Sequence, residues 1–140
     1  MRTVSAAIDI AAAPAQVWAI LTDLAAYPQW NPLFPQASGE LAVGARITLR
    51  AVQPSGRAMT IRARVRAADP AGGLRWAAGL PGIISGEHSF TLAAGGGGTR
   101  LVQSETFSGV LVPFSRRTLT AVQASYAELN LALKARAESR

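Results

Sequence analysis

The chain has 140 residues, of which 49% are hydrophobic and 16% are charged. This composition predicts a single globular domain over residues 1–140 with one apolar core. Cysteine is absent and His88 is the only histidine, which excludes disulfides, thiolate metal centres and metal sites with several histidine ligands. We expect neither a bound metal nor an organic cofactor.

The charge balance is basic. Fourteen lysine and arginine residues outnumber eight acidic residues, for a formal net charge of +6, and a basic surface is a hint of anionic partners. No apolar run reaches the ~18 residues that a membrane-spanning helix needs. Asp9 interrupts the alanine-rich N-terminal stretch, unlike the apolar segment of a signal peptide. We therefore expect a mature cytoplasmic protein without an integral membrane segment.

The N-terminal elements are a strand and two short helices. Apolar residues occupy the even positions of residues 3–10, and such alternation predicts a strand with one buried face. Pro14 suits the first turn of a helix, which we place over residues 14–22. A second short helical segment over residues 24–27 ends before the next proline.

The segment that follows is a loop with an unusual apolar content. Three prolines between residues 28 and 35 remove backbone donors and disfavour helix in the residues before them. The loop nevertheless carries Trp30, Leu33 and Phe34, side chains that a plain surface loop does not need. A short strand over residues 36–42 is expected next.

A hairpin with one apolar and one basic face comes after it. Residues 45–53 alternate in polarity, and Pro54-Ser55-Gly56 has the composition of a three-residue turn. Pairing residue 53 with residue 57 places Leu49 opposite Ile61, so the apolar residues of both strands share a face. The other face is rich in arginine: Arg46, Arg50, Arg57, Arg62, Arg64 and Arg66.

The remaining strands complete a set of seven. We expect one strand over residues 74–78, interrupted at Gly79, with Trp76 on its inner side. Two longer strands over residues 83–94 and 99–109 then form a second hairpin around a glycine-rich tip.

The second hairpin places two polar residues on an apolar face. If Ala94 pairs with Thr99, then Phe90 faces Gln103 and His88 faces Glu105. Side chains alternate strictly along a strand, so His88 and Glu105 point to the same interior side as Phe90. Two interpretations are open: a hydrogen-bonded pair that fixes the imidazole tautomer, or polar groups of a cavity that orient a ligand or act as an acid–base couple.

A long C-terminal helix over residues 113–138 organises the rest. Its apolar positions recur at spacings of three and four and include Leu119, Val122, Tyr126, Leu129, Leu133 and Ala137. The Tyr126 hydroxyl and Asn130 lie on the same stripe, where they meet buried backbone or a cavity beside His88. Seven strands, a helical insert and this helix predict an α+β domain, with a curved antiparallel sheet closing over the helix.

Short motifs occur along the chain in a recognisable order. They are Ala-Pro-Ala-Gln-Val-Trp at 13–18, Tyr-Pro-Gln-Trp-Asn-Pro at 27–32, Gly44, Leu-Arg-Trp at 74–76, Gly-Glu-His-Ser-Phe at 86–90, Gly-Thr-Arg-Leu at 98–101, Glu-Thr-Phe-Ser-Gly at 105–109 and Asn-Leu-Ala-Leu-Lys at 130–134. This pattern, which covers nearly the whole chain, resembles the SRPBCC, or START-like, superfamily, and within it the polyketide cyclase/dehydrase and lipid-transport group.

This resemblance implies a helix-grip fold: a curved seven-stranded antiparallel sheet wrapped around the C-terminal helix, with two short helices after strand 1 and an elongated cavity between sheet and helix. It implies no universal catalytic set. The first functional hypothesis is binding of a small hydrophobic molecule, lipid-like or aromatic polyketide-like, for transport or sequestration. The residues expected to line its site are Trp30, Phe34, Trp76, Ile84, Phe90, Gln103, Phe107, Phe114, Val122, Tyr126, Leu129 and Asn130, with His88 and Glu105 as polar anchors.

Two other functional classes remain open. The chain is a metal-free cyclase or dehydratase if His88 and Glu105 act as an acid–base pair, and an interaction module if the arginine-rich outer face binds a protein. That face lacks the interleaved aromatic residues or recognition helix of nucleic-acid binding proteins, so we expect no nucleic-acid partner. Both a monomer and a homodimer are compatible with the sequence.

Overall fold

Residues 1–53, 55–80, 82–112 and 116–139 are described by a computed structural model. They form the α+β helix-grip architecture that the sequence predicts. The elements, in chain order, are β1 (Arg2–Ile10), α1 (Pro14–Leu21), a 3₁₀ helix (Leu24–Gln29), β2 (Gln36–Gly39), β3 (Arg46–Val52), β4 (Ala58–Asp69), β5 (Gly73–Leu80), β6 (Ile84–Gly95), β7 (Gly98–Ser108) and α2 (Arg116–Glu138).

The seven strands form one antiparallel sheet in the order β1-β7-β6-β5-β4-β3-β2. Leu49 pairs with Ile61, and His88 pairs with Glu105, so both predicted hairpin registers are confirmed. Arginines on the other face of β3 and β4 are exposed. Some have partners there: Arg64 donates to the Gly44 carbonyl at 3.1 Å, and Arg50 donates to Thr60 Oγ1 at 3.0 Å.

Two strands differ from the sequence prediction by more than one residue at an end, and glycine backbone geometry is involved in both. The structure continues β5 through Gly79, where we expected an interruption, because Gly79 still pairs with Ser85 of β6. Gly79 keeps this pairing with a φ of +110°. A β-carbon there would lie 2.6 Å from the Ile84 carbonyl oxygen, which only glycine avoids. The predicted strand over residues 36–42 ends earlier, at Gly39, which also has a positive φ.

Side chains of helix α2 form hydrogen bonds with the backbone of the edge strand β1. Gln123, Asn130 and Lys134 donate side-chain hydrogen bonds to the carbonyls of Ser5, Ala6 and Asp9 at 2.8, 3.0 and 2.9 Å. The predicted start of the helix, from Pro113, lies outside the described residues. Because the helix sits towards β1 and β7, much of the concave face of β3, β4 and β5 remains uncovered by it. No helix of the described residues is long and apolar enough to cross a membrane.

The buried stripe of α2 supplies a large part of the core. Two leucines in one turn of the helix, one buried and one exposed, allow this to be tested. Leu133 is fully buried, whereas Leu131 on the opposite face is 60% exposed. We expect Leu133→Ala to lower the free energy of unfolding by about 2–5 kcal/mol, because it removes buried methyl groups and leaves a cavity.

The matched variant Leu131→Ala should change the free energy of unfolding by less than about 0.5 kcal/mol. Urea denaturation followed by circular dichroism measures both values. Equal losses in the two variants would contradict the burial pattern of this helix.

Candidate functional site

A cavity of about 260 Å³ lies between the uncovered part of the concave sheet face and helix α2. Its lining is mostly apolar, and its polar side chains include one cluster where β6 and β7 meet the helix. The described lining residues are Leu33, Phe34, Leu49, Ala51, Val52, Gln53, Met59, Ile61, Trp76, Ala78, Gly86, His88, Glu105, Phe107, Thr118, Val122, Ser125 and Tyr126. An apolar cavity with a few polar groups is the usual form of a small-molecule site.

The polar cluster is a chain of four hydrogen-bonded side chains. Nε2 of Gln103 lies 3.0 Å from Nε2 of His88, and Nδ1 of His88 lies 3.0 Å from Oε1 of Glu105. The hydroxyl of Tyr126 donates to that same carboxylate oxygen. Glu105 therefore joins the sheet to α2 at the wall of the cavity.

This network assigns the histidine tautomer. The amide N–H of Gln103 is a donor only, so Nε2 of His88 accepts and the ring carries its proton on Nδ1. That proton is donated to Glu105. Both ring nitrogens are thus bonded to side chains of the protein itself, which fits the tautomer-fixing interpretation of the pair.

Aromatic rings enclose the imidazole. Trp76 stacks on His88 with centroids 5.2 Å apart, while Phe34 approaches edge-on at 5.7 Å. Phe90 and Tyr126 lie at 4.8 and 4.9 Å. The side chain of His88 is only 3% exposed, so the ring is held on all sides and Glu105 is the more accessible member of the pair.

The carboxyl of Glu105 is held in its ionised form. Burial raises its pKa, but the hydrogen bonds that it accepts from His88 and Tyr126 lower it, and the net pKa lies below the ordinary value. Burial and the neighbouring carboxylate raise the pKa of Tyr126. The phenol therefore remains a donor and Glu105 an acceptor at neutral pH.

Gly86 makes room for this carboxylate. It lies on β6, two residues before His88, and a β-carbon built there would overlap Oε2 of Glu105. Its backbone does not need a positive φ, so the requirement for glycine here is one of space. No local pattern in the sequence signals this role of Gly86, because its diagonal relation to Glu105 exists only across the β6–β7 pair.

The loop before β2 is shaped by Asn31, which was not among the predicted site residues. Oδ1 of the buried Asn31 accepts hydrogen bonds from the backbone N–H groups of Leu33 and Phe34 at 3.0 and 2.8 Å. The Leu33 carbonyl in turn accepts from the N–H of Val52 at 2.9 Å. This local turn directs two apolar side chains of the loop into the cavity.

The structure brings some of the predicted site residues together and separates others. Those that line the cavity are Phe34, Trp76, His88, Glu105, Phe107, Val122 and Tyr126. Those that do not line it are Trp30, Ile84, Phe90, Gln103, Leu129 and Asn130. Phe114 lies outside the described residues.

The residues that fall outside the cavity have other roles in packing. Trp30 packs edge-on against Tyr27 at 5.3 Å, Phe90 and Gln103 lie against His88, and Leu129 is fully buried in the core. Asn130, for which a place in the cavity was one of two expectations, instead donates to the Ala6 carbonyl. In the part of the chain that is described, no group of three potential metal-ligating side chains occurs.

The role of Gly86 can be tested through the only histidine of the chain. We expect Gly86→Ala to displace the Glu105 carboxylate and break its bond to Nδ1 of His88, because the added methyl occupies the place of Oε2. In ¹H–¹⁵N NMR, the ¹⁵N chemical shifts of the one imidazole should then depart from those of the Nδ1-protonated tautomer.

Gly95→Ala is the matched control, since Gly95 lies on the same strand with open space around its α-carbon. Its imidazole spectrum should match that of the wild type. A Gly86→Ala protein with an unchanged imidazole spectrum would contradict the assigned role.

The ionised carboxylate also predicts a pH dependence. A lowered pKa in the folded state stabilises the protein above the unfolded-state pKa of about 4.3. This contribution disappears as pH falls through the lower pKa of folded Glu105. Glu105→Gln should therefore cost about 1.5–3 kcal/mol of unfolding free energy at pH 7, and the deficit should shrink below about pH 4.

Urea denaturation at a series of pH values measures the difference between the two proteins. A deficit that stays constant from neutral to acidic pH would show that the loss arises from packing rather than from ionisation.

Comparisons with known proteins agree with this architecture. A Thermus thermophilus protein is 19% identical, with a TM-score of 0.79 over 99% of this chain and 98% of that chain. A START superfamily protein from Mycobacterium smegmatis is 21% identical, with a TM-score of 0.79 over 98% of this chain and 97% of that chain. The di-domain ARO/CYC protein StfQ from the steffimycin biosynthetic pathway is 16% identical, with a TM-score of 0.75 over 99% of this chain and 51% of StfQ.

At these identities the likeness establishes a shared fold. No curated protein matches the chain at a significant level. The family model described as polyketide cyclase/dehydrase and lipid transport matches residues 1–138, which is almost the full sequence. The chain therefore belongs to the polyketide cyclase/dehydrase and lipid transport family.

Proposed function

We propose that the protein binds a small hydrophobic molecule in the cavity between its sheet and helix α2. The observation that carries this proposal is the cavity itself: a pre-formed, mostly apolar space with its polar cluster confined to one wall. Burial of apolar ligand surface supplies affinity at roughly 25 cal/mol per Å² before the costs of association. The family description and the names of the structural neighbours support the same ligand class.

The volume limits the size of the ligand. At ~30 Å³ for each water-sized group, a cavity of about 260 Å³ holds roughly nine such groups, which corresponds to a one- or two-ring molecule. A four-ring polyketide or a two-chain lipid has to extend through the opening. This opening lies between the β3–β4 hairpin and the first turns of α2, where Met59 and Thr118 are exposed lining residues.

An enzymatic role at the same site is a second candidate. One observation favours it: Glu105, a carboxylate on the cavity wall, is backed by the imidazole of His88 at 3.0 Å. A cyclase or dehydratase would use this pair to move a proton to or from the bound substrate. Glu105→Gln and His88→Ala should then abolish turnover of an aromatic polyketide-like substrate while binding is retained, and unchanged turnover in both variants would exclude this role.

Filling the cavity tests the binding proposal directly. Ser125 lines the cavity, whereas its neighbour Ala124 is exposed on the outer side of α2. We expect Ser125→Phe to abolish saturable binding of naphthalene, because the added ring occupies the ligand volume, and Ala124→Phe to leave the binding curve unchanged. Protein-observed NMR titration measures both.

Native mass spectrometry of the purified protein provides an independent measurement. A bound hydrophobic passenger that is present on the wild-type protein and on Ala124→Phe but absent from Ser125→Phe would support the proposal. Equal naphthalene affinity in the two variants would place binding elsewhere on the protein.

A further inference from the structure

We infer that the cavity selects uncharged ligands that donate a hydrogen bond, with phenols as the simplest class, and rejects ligands that carry a carboxylate. This inference deepens the proposed function and depends on it. It concerns the chemistry of one atom, Oε2 of Glu105, and the charge of the wall around it.

The two carboxylate oxygens of Glu105 differ in their surroundings. Oε1 accepts from Nδ1 of His88 and from the Tyr126 hydroxyl, so both of its lone pairs are used. Oε2 accepts no hydrogen bond from any residue that the structure describes, and it occupies the space that the missing side chain of Gly86 leaves. Both residues line the cavity. An acceptor without a partner is therefore present on the wall.

The charge of the wall is negative. Glu105 is ionised at neutral pH, and Nε2 of its partner His88 accepts a hydrogen bond from the Gln103 amide. None of the described lining residues is lysine or arginine. A carboxylate ligand would thus be desolvated beside a like charge without a cation to pair with, which is strongly unfavourable in an apolar site.

The other polar side chains deep in the cavity have little donor capacity left. The Tyr126 hydroxyl already donates its proton to Glu105, and Ser125 Oγ donates to the Ala121 carbonyl at 3.5 Å. The amide of Gln53 contacts Met59 Sδ at 2.9 Å near the opening. The remaining side-chain donors of the described lining are the indole N–H of Trp76 and the hydroxyl of Thr118 near the opening. Neither belongs to the polar cluster, whereas a ligand hydroxyl beside that cluster finds the free acceptor Oε2.

The shape of the wall adds a preference for flat rings. Trp76 and Phe34 stand edge to face, with ring centroids 5.8 Å apart, and both line the cavity beside the carboxylate. Such rings favour offset or edge contacts with another aromatic ring. An aromatic alcohol satisfies the rings and the acceptor at the same time.

Three ligands of nearly equal size test this selectivity at neutral pH: naphthalene, 2-naphthol and 2-naphthoate. On the wild-type protein we expect 2-naphthol to bind about 10- to 100-fold more tightly than naphthalene, as a hydrogen bond to a charged group allows. We expect no detectable binding of 2-naphthoate at concentrations that saturate the protein with 2-naphthol. Dissociation constants come from protein-observed NMR titration.

Glu105→Gln changes the same atom from an acceptor to a donor. The amide oxygen can still accept from His88 and Tyr126, while the amide N–H₂ takes the place of Oε2. In this variant the advantage of 2-naphthol over naphthalene should fall to less than about threefold, and 2-naphthoate should gain affinity. Glu87→Gln is the matched control, because Glu87 lies on the outer face of the neighbouring strand β6. Its carboxylate pairs with Arg75 at 3.2 Å, and this variant should retain the wild-type order.

The outcomes separate the two proposals. Equal binding of naphthalene and 2-naphthol to the wild-type protein, or binding of 2-naphthoate as tight as that of 2-naphthol, would overturn the inference while leaving the binding function intact. An identical change of ligand order in Glu87→Gln would also overturn it, since the effect would then reflect net charge alone. Absence of binding by all three ligands would overturn both proposals.

Discussion

The attachment of helix α2 to the edge strand β1 is the constraint on which the site depends. Side chains of Gln123, Asn130 and Lys134 bond to carbonyls along β1, and the helix accordingly lies over the β1 side of the sheet rather than over its centre. The sheet is wider than one helix can cover, and the cavity lies over the part of the concave face that α2 leaves uncovered. The binding space is thus a product of where two large elements meet, rather than of any single loop.

The polar cluster explains how a charged carboxylate can be stable on an otherwise apolar cavity wall. Glu105 receives hydrogen bonds from a strand neighbour and from the helix, and these offset the cost of removing a carboxylate from water. The imidazole itself is oriented by Gln103 and by the rings around it. Such a chain fixes the position of one acceptor closely, which is what recognition of a small ligand requires.

The fold and the strand registers could be predicted from the sequence because their signals are local. Turn composition and alternation place Leu49 opposite Ile61 and His88 opposite Glu105 before any tertiary contact is known. The lining of the cavity could be predicted only in part, since it depends on the lateral position of α2. Asn130 illustrates this: its place on the apolar stripe was clear, but its bond to Ala6 is set by a contact between opposite ends of the chain.

The same attachment has a consequence for the behaviour of the protein in crowded solution. An open sheet exposes two edges, and an unpaired edge is a template on which strands of other molecules can assemble. Helix side chains already engage the carbonyls of Ser5 and Asp9 on one edge, while the other edge strand, β2, has only four residues and ends at Gly39. The sheet therefore presents only a short stretch of unpaired strand edge on which other molecules could assemble, although its concave face remains open to a ligand.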